Sequence, residues 1–437
     1  MRPGLLKGPG THNTVMISAE PRVFGYTLGC RLNAYETESM VDDIVSSTGG
    51  TRAGRAEDAD VILVNTCAVT GRSQARSRKA VRSYASRYPE ATIVVTGCVA
   101  EVAPEDFGEI PAEKIIIVPV PEKEKIVSIL TGRKPENSKE GIYPWHAPAE
   151  TSRTRAFLKI QDGCSNRCSY CIVPLARGDS RSQPREIVLK QARELAAGGY
   201  REISLTGVDI ADYGTDIYNG KYTLTDLVHD LMDLGGFRLR IGSIEPLCLT
   251  VKTLEKLAEA GVCRHFHIPF QSGSEAVLKR MGRPYGEQEE YELLDAVEEL
   301  FSGVCLGSDI IAGFPEETHE DFMKTRALAE DSRINYLHVF PYSPRPGTPA
   351  AEMQQLHTET ITGRAEELRS ISTSSRNSFR ESMIGTTQTI LVENRKHMGS
   401  MLGLTDNYIP VKAPEGAEEG KLVQVELTRE NICWGLR

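Results

Sequence analysis

Three cysteines, Cys164, Cys168 and Cys171, sit in one short stretch, Gly163-Cys-Ser-Asn-Arg-Cys-Ser-Tyr-Cys-Ile-Val-Pro174, with three and then two residues between them. Three thiolates on one loop form a soft, electron-rich ligand set, suited to an iron–sulfur cluster, zinc or copper(I). A cubane cluster normally takes one cysteine for each of its four irons. The next cysteine along the chain is Cys248, so the loop leaves one iron open to an exogenous ligand. A structural zinc knuckle needs a closed set of four ligands, and no histidine lies in the loop to complete one. The stretch follows the strand-like run Ala156-Phe-Leu-Lys-Ile160. That places the loop at a strand end, in an alternating strand and helix domain.

The chain has 437 residues, room for about three domains and a large core. No apolar run approaches the roughly 18 residues of a membrane span. Met1 to Glu20 lacks the continuous apolar core of a signal peptide and reads as a flexible leader. The expected setting is the cytoplasm, where ten cysteines stay reduced and are better explained by metal than by disulfides. A net charge of −9 argues against nonspecific nucleic-acid binding. A local basic surface can still do that work.

Residues 21–132 alternate strands and helices. Val23–Leu28 runs into Gly29-Cys30, Asp60–Asn65 into Thr66-Cys67, and Thr92–Thr96 into Gly97-Cys98; Lys114–Val118 is a fourth apolar strand. Helix-like stretches, among them 34–46 and 73–87, lie between, the pattern of a parallel sheet flanked by helices. Cys30, Cys67 and Cys98 each fall just past a strand's carboxyl end, the edge where open parallel sheets bind ligands. A second metal site is expected there; the competing reading is three inert, buried cysteines. Arg72, Arg76, Arg78, Lys79, Arg82 and Arg87 follow Cys67 with no acid among them, either a phosphate-binding face or a solvated one. Residues 133–152 read as a linker.

From 153 to 350 six strand and helix units, with Glu202–Thr206 among the strands and helices over 185–197, 223–234, 251–260, 287–301 and 319–331, point to a barrel-like parallel sheet with its functional edge at the strands' carboxyl ends. The cluster loop lies at that edge, with Thr206-Gly-Val-Asp209, Ser243-Ile-Glu245, Gln271-Ser-Gly-Ser274 and Gly313-Phe-Pro315. From Arg153 to Glu186 there are seven basic residues against three acids. Arg177 and Arg181, close to the expected chemistry, are candidate substrate contacts, since arginine binds phosphate bidentately or stacks on a base. A helix-like connector, 360–383, leads to three strands expected in a small antiparallel β-barrel over 383–437. With seven basic and eight acidic residues from Arg380 to Arg437, that segment carries no charge signature for RNA.

The cysteine loop resembles the signature of radical S-adenosylmethionine (SAM) enzymes. The resemblance implies a 4Fe-4S cluster on Cys164, Cys168 and Cys171, with SAM on the open iron and Tyr170 against its adenine. Glu245 and Gln271 are the expected SAM contacts from the surrounding loops. End to end the chain resembles the tRNA methylthiotransferases. The resemblance rests on Thr27-Leu-Gly-Cys-Arg-Leu-Asn33, Asn65-Thr-Cys-Ala-Val-Thr70, Thr96-Gly-Cys98, the cluster loop, His267-Ile-Pro-Phe-Gln-Ser-Gly-Ser274 and Phe340-Pro-Tyr-Ser-Pro-Arg-Pro-Gly-Thr348. It implies an α/β architecture of three domains. These are an N-terminal open parallel α/β methylthiotransferase domain, a radical SAM partial (β/α)6 barrel and a C-terminal RNA-binding TRAM β-barrel.

On this resemblance Cys30, Cys67 and Cys98 carry a second 4Fe-4S cluster, while Cys248, Cys263, Cys305 and Cys433 match no ligand. Within the family, Gln161-Asp-Gly-Cys164, Ala176-Arg-Gly-Asp-Ser-Arg-Ser182 and the Tyr-Ser-Pro-Arg-Pro-Gly-Thr stretch look most like the branch acting on N6-threonylcarbamoyladenosine. The isopentenyladenosine and ribosomal-protein branches are the alternatives. The implied chemistry is hydrogen abstraction from adenine C2 by a SAM-derived radical, followed by transfer of a methylated sulfur. The implied partners are a tRNA anticodon loop and a reductant such as flavodoxin or ferredoxin, with no membrane. The reacting base must be unstacked to be reached.

Overall fold

The computed structural model describes residues 17–108, 110, 115–132, 154–397 and 399–436. The expected linker over 133–152 and most of the expected leader lie outside them. The chain forms two compact units, one of residues up to 149 together with 175–178, the other of 150–174 and 179–437.

The first unit is built on five parallel strands: β1 (Arg22–Thr27), β2 (Thr51–Arg52), β3 (Val61–Thr66), β4 (Thr92–Gly97) and β5 (Ile115–Ile117), in the order β2-β1-β3-β4-β5. Helix α1 (Arg31–Thr48) follows β1 and α2 (Gly71–Arg87) follows β3. Strand β3, Val-Ile-Leu-Val-Asn-Thr, is buried along its whole length, as a central parallel strand covered on both faces must be. Val61, Leu63 and Val94 pack on Met40, Val41 and Ile44 of α1. Burying a side chain of this size contributes about 1.5–3 kcal/mol. The strand order reverses between β1 and β3, and in such sheets a crevice opens outside the carboxyl ends at that point.

The second unit holds six parallel strands in sequence order: β6 (Ala156–Lys159), β9 (Glu202–Thr206), β10 (Arg238–Arg240), β11 (His265–His267), β12 (Cys305–Ala312) and β13 (Tyr336–Pro341). A two-strand ribbon, β7 (Gln161–Asp162) with β8 (Arg181–Ser182), stands between the first two. The Ser243–His267 bridge joins the β6-β9-β10 sheet to the β11-β12-β13 sheet. Among the described residues β6 and β13 do not pair with each other, so the sheet is an open, partial (β/α)6 barrel. Helices 185–197, 224–233, 251–260, 287–300 and 319–329 fill the connections, close to where apolar periodicity places them.

The C-terminal segment is an antiparallel sheet of β14 (Thr387–His397), β15 (Ser400–Thr405), β16 (Pro410–Lys412) and β17 (Leu422–Glu426), ordered β16-β15-β14-β17. Sequence analysis expects three strands here; β15 is a fourth, hidden by its glycine. Gly403 is required because the Ile390 side chain crosses it: an added Cβ would meet Ile390 Cδ1 at 2.5 Å. The sheet belongs to the same unit as the barrel and docks at the amino ends of β10 and β11. Arg238 donates to the Thr389 and Leu404 carbonyls at 3.0 and 2.7 Å, and Arg240 to Asp406 O at 2.8 Å. Tyr408 stacks on His265 at 4.4 Å. Glu202, fully buried, accepts from Arg238 and Arg240 at 2.6 and 2.8 Å, so the buried charges are paired.

Candidate metal centres

In the first unit Cys30 follows β1, Cys67 follows β3 and Cys98 opens the short helix after β4. Cys30 and Cys67 therefore flank the topological switch point. Close backbone approach brings the three loops together. At Gly29 (φ +101°) an added Cβ would lie 2.7 Å from Cys67 Cβ, and at Gly97 (φ +92°) 2.4 Å from Asn65 Oδ1. Only glycine fits both the space and the left-handed backbone. Asn33 ties the loops: its Nδ2 donates to Leu28 O at 2.7 Å and Thr66 O at 3.0 Å, while Asn65 donates to Asn33 O at 3.1 Å. Cys30 Sγ lies 3.8 Å from Asn33 Oδ1. That same Oδ1 accepts from Arg177 at 2.6 Å, and Arg177 pairs with Glu36 at 2.9 Å. Lys123 reaches Glu36 from the other side at 2.5 Å, and all three charges are buried.

The second trio is local. Gly163 (φ +71°) turns the chain out of β7 into Cys164. Ser169, between Cys168 and Cys171, anchors the loop: its N–H donates to Met281 O at 2.9 Å and its hydroxyl to Arg280 O at 2.8 Å. Gln161 fastens the loop to its neighbour. Its Nε2 donates to Gly163 O and Ser180 Oγ, and its Oε1 accepts from the N–H groups of Val208 and Asp209. Arg283 Nη1 stands 3.6 Å from Cys168 Sγ and donates to Glu245 at 2.7 Å.

Burial favours the neutral thiols in both places. Burial pushes the Cys67 thiol up, the Cys164 thiol up to about 12 and the Cys171 thiol up to about 11. These groups stay protonated until a metal replaces the proton. Burial, with Glu245 nearby, pushes the Asp209 carboxyl up to about 6. Asp209 Oδ2 accepts from Asn166 at 2.8 Å, but Oδ1 is buried with no hydrogen-bond partner. An orphaned carboxylate oxygen beside Cys164 and a second carboxylate fits the N–H groups of an amino-acid amine such as that of SAM. The donor set therefore fits an iron–sulfur cluster carrying SAM.

The residues named from sequence divide. Cys164, Cys168, Cys171, Glu245 and Gln271 share the carboxyl edge of the second unit's sheet; Gln271 is held at φ +71° by Asp309 O, which accepts from its N–H at 2.8 Å. Tyr170 is half-buried, edge-on to Phe314 at 6.5 Å. Arg181 is exposed, 3.8 Å from Asp162. Arg177, expected at RNA, is instead buried in the first unit, engaged by Glu36 and Asn33, and is not presented to a ligand. Of the basic residues on α2, Arg78 pairs with Asp106 at 3.3 Å. Asn33 and Gln161 fall inside stretches that carry the family resemblance but, like Arg283, take no individual role from sequence. Only the fold brings these three to the cysteines, while Asp209 carried a signal by its place after a strand.

Three family models match the chain: the radical SAM superfamily over residues 158–329, the TRAM domain over 381–431, and the uncharacterized protein family UPF0004 over 22–118. A Bacillus subtilis (strain 168) protein named threonylcarbamoyladenosine tRNA methylthiotransferase MtaB is 37% identical over 92% of this chain and 93% of its own. An Aliarcobacter butzleri protein named tRNA-2-methylthio-N(6)-dimethylallyladenosine synthase is 32% identical over 94% and 97%. Among solved structures, the radical SAM methyltransferase TsrM from Kitasatospora setae superposes with a TM-score of 0.53 at 15% identity, covering 75% of this chain and 74% of that one. That likeness concerns the fold alone.

Proposed function

Because this chain belongs to the tRNA methylthiotransferases, in the branch that acts on threonylcarbamoyladenosine, we infer that it attaches a methylthio group to C2 of that modified adenosine in tRNA. What supports this reading above all is the pair of cysteine trios, one at the carboxyl edge of each unit's parallel sheet. We further propose that Cys164, Cys168 and Cys171 hold one 4Fe-4S cluster and Cys30, Cys67 and Cys98 a second. When bound, the first cluster with SAM supplies one-electron cleavage to a hydrogen-abstracting radical, and the second a site for sulfur.

The chain's own groups then have defined tasks. Asp209 Oδ1 and Glu245 would accept hydrogen bonds from the cofactor's amino N–H groups, with Arg283 holding Glu245 in place. Gln161 keeps the cluster loop and the Asp209 loop in register. Tyr170 offers its ring to the adenine, and Gln271 its side chain to the cofactor. In the first unit, Asn33, Glu36 and Arg177 hold the Cys30 turn against the ends of β1 and β3. Arg181 remains an exposed candidate for the RNA. Fixing radical, base and sulfur together while excluding water is the protein's share of the catalysis. Single electrons are expected from a flavodoxin or ferredoxin, and the expected setting is the cytoplasm; no described helix is long and apolar enough to cross a membrane.

Mass spectrometry of tRNA nucleosides from a deletion strain tests the reading. The 2-methylthio derivative of threonylcarbamoyladenosine disappears and its unthiolated parent accumulates. Loss of the dimethylallyl counterpart instead moves the chain to that branch, and an unchanged profile overturns a tRNA substrate.

A further inference from the structure

A chain of net charge −9 with a near-neutral C-terminal segment must grip a polyanion through a local surface. One cleft has the required character. It is a cavity of about 330 Å³ between the edge strand β13, the long helix 358–382 and the turn at 408–409. Its basic lining groups are His338, Arg369, Arg376 and Arg380, with no carboxylate in the lining. Asp309, bonded to His338, is also bonded to His267 at 2.9 Å.

Arg369 is exposed and has no acidic partner among the described residues. Arg364, one turn earlier on the same helix, shows the alternative: it is tied to the buried Glu317. Arg376 lies over the Tyr336 ring at 5.8 Å, an arginine and aromatic stack. At the floor, Arg380 donates to the Cys433, Trp434 and Leu436 carbonyls, and burial with Arg376 alongside pulls its guanidinium down to about 10. The cleft thus gathers three guanidinium groups with no carboxylate in its lining. At the rim Phe340 is 36% exposed, a free ring face beside the arginines. Ser372 fixes the helix to the strand by accepting from Leu337 N at 2.8 Å, so the two backbones that carry these groups are tied together.

We propose that this cleft seats the sugar–phosphate backbone of the substrate tRNA, with Arg369 and Arg376 on phosphate oxygens and Phe340 stacked on a neighbouring unpaired base. The proposal rests on the reading of the chain as a tRNA-modifying enzyme. Cationic forks beside an exposed aromatic face match single-stranded RNA, which offers both phosphates and unstacked bases. Arg369 and Arg376 lie seven positions apart on one helix face, about 10 Å along its axis, so they can reach separate phosphates.

The experiment uses the full-length, cluster-reconstituted protein and tRNA bearing threonylcarbamoyladenosine, with binding followed by fluorescence anisotropy across a salt series. Arg369→Gln and Arg376→Gln each weaken binding several-fold, and each flattens the slope of log affinity against log salt by about 0.7–0.9. Phe340→Ala weakens binding with the slope unchanged. Arg193→Gln, on the exposed face of a helix elsewhere, changes neither quantity. Iron content and melting temperature of Arg369→Gln match the wild type, which separates lost contact from lost fold. If the wild type binds tRNA and the Arg369→Gln, Arg376→Gln double variant binds with the same affinity and slope, the cleft is not the seat. If the wild type neither binds nor methylthiolates tRNA, the functional reading falls and the cleft's assignment with it.

Discussion

The two cysteine trios reach similar donor sets by opposite routes. Cys164, Cys168 and Cys171 share one loop, and the rest of the second unit only braces it through Ser169, Gln161 and Arg283. Cys30, Cys67 and Cys98 are spread over 69 positions and meet only because three neighbouring parallel strands end at one edge. The first arrangement is a property of a segment, the second of a folded domain. Damage to packing should therefore strip metal from the first unit's trio long before it strips the loop.

The largest effects separate the trios outright. Replacing Cys164, Cys168 and Cys171 by alanine abolishes SAM cleavage. Replacing Cys30, Cys67 and Cys98 leaves cleavage to 5′-deoxyadenosine but abolishes the methylthiolated nucleoside. Iron falls from about eight to about four per chain in each case, one cubane lost. Loss of all the iron from either triple substitution would break the comparison.

Next come substitutions in the supporting residues. Arg177→Met takes one of two buried cations from the Glu36 carboxylate and the guanidinium donor from Asn33 Oδ1. Breaking such a network costs about 3–5 kcal/mol. Thermal unfolding of the first unit shifts down, and iron is lost from its trio while SAM cleavage persists. Asp209→Asn acts on the other side. It removes the carboxylate charge offered to the cofactor's amino N–H groups, weakening SAM binding about tenfold or more in equilibrium dialysis, since hydrogen bonds to charged groups contribute about 1.5–3 kcal/mol. First-unit iron is unchanged.

A gentler measurement reads exposure. In the metal-free protein Cys67 and Cys98 are buried, whereas Cys164, Cys168 and Cys171 are half-exposed. Timed alkylation with peptide mapping labels the exposed Cys30 and Cys248 first, the loop thiols next and Cys67 and Cys98 last; equal rates for Cys67, Cys98 and the loop thiols would mean that the first unit does not keep its fold without metal.

A separate effect, one of pH, concerns the second unit's scaffold alone. Burial holds the Glu290 carboxyl up at about 9, against an ordinary 4.5, with Glu287 and Glu289 adding to the shift. The folded chain thus keeps a proton that the unfolded chain releases. Stability on this account is full below about pH 4.5, declines as pH rises and levels off above about 9. Glu290→Gln removes the dependence, so the melting temperature of the variant pulls ahead of the wild type from about pH 5 to about pH 9 and no further. A constant gap would show that Glu290 titrates normally.

Much of the scaffold is legible in the sequence because periodicity and strand-end glycines report it locally. Glu202–Thr206, Arg185–Ala197 and Val251–Ala260 fall at the residues expected, and the strand-end rule locates Cys30, Cys67 and Cys98 on one edge. What sequence hides is partnership. Arg177 reads as a phosphate contact because it lies six residues beyond Cys171, but its partner is Glu36, 141 positions away. Arg283 carries no pattern at all, and only the folded sheet brings it beside Cys168. β15 escapes because Gly399 and Gly403 look like turn residues, when Gly403 serves to let Ile390 cross it.

Arg240 is completely enclosed, and several of its acceptors are carbonyls supplied by the turn around Asp406. Cutting the chain before residue 383 would strand that guanidinium over a dry opening at the base of the barrel. A shortened protein that failed to modify RNA would then be reporting a collapsed floor rather than a missing hand. Questions about what the last segment touches are better put to single side chains on its outward face, with the plug left in.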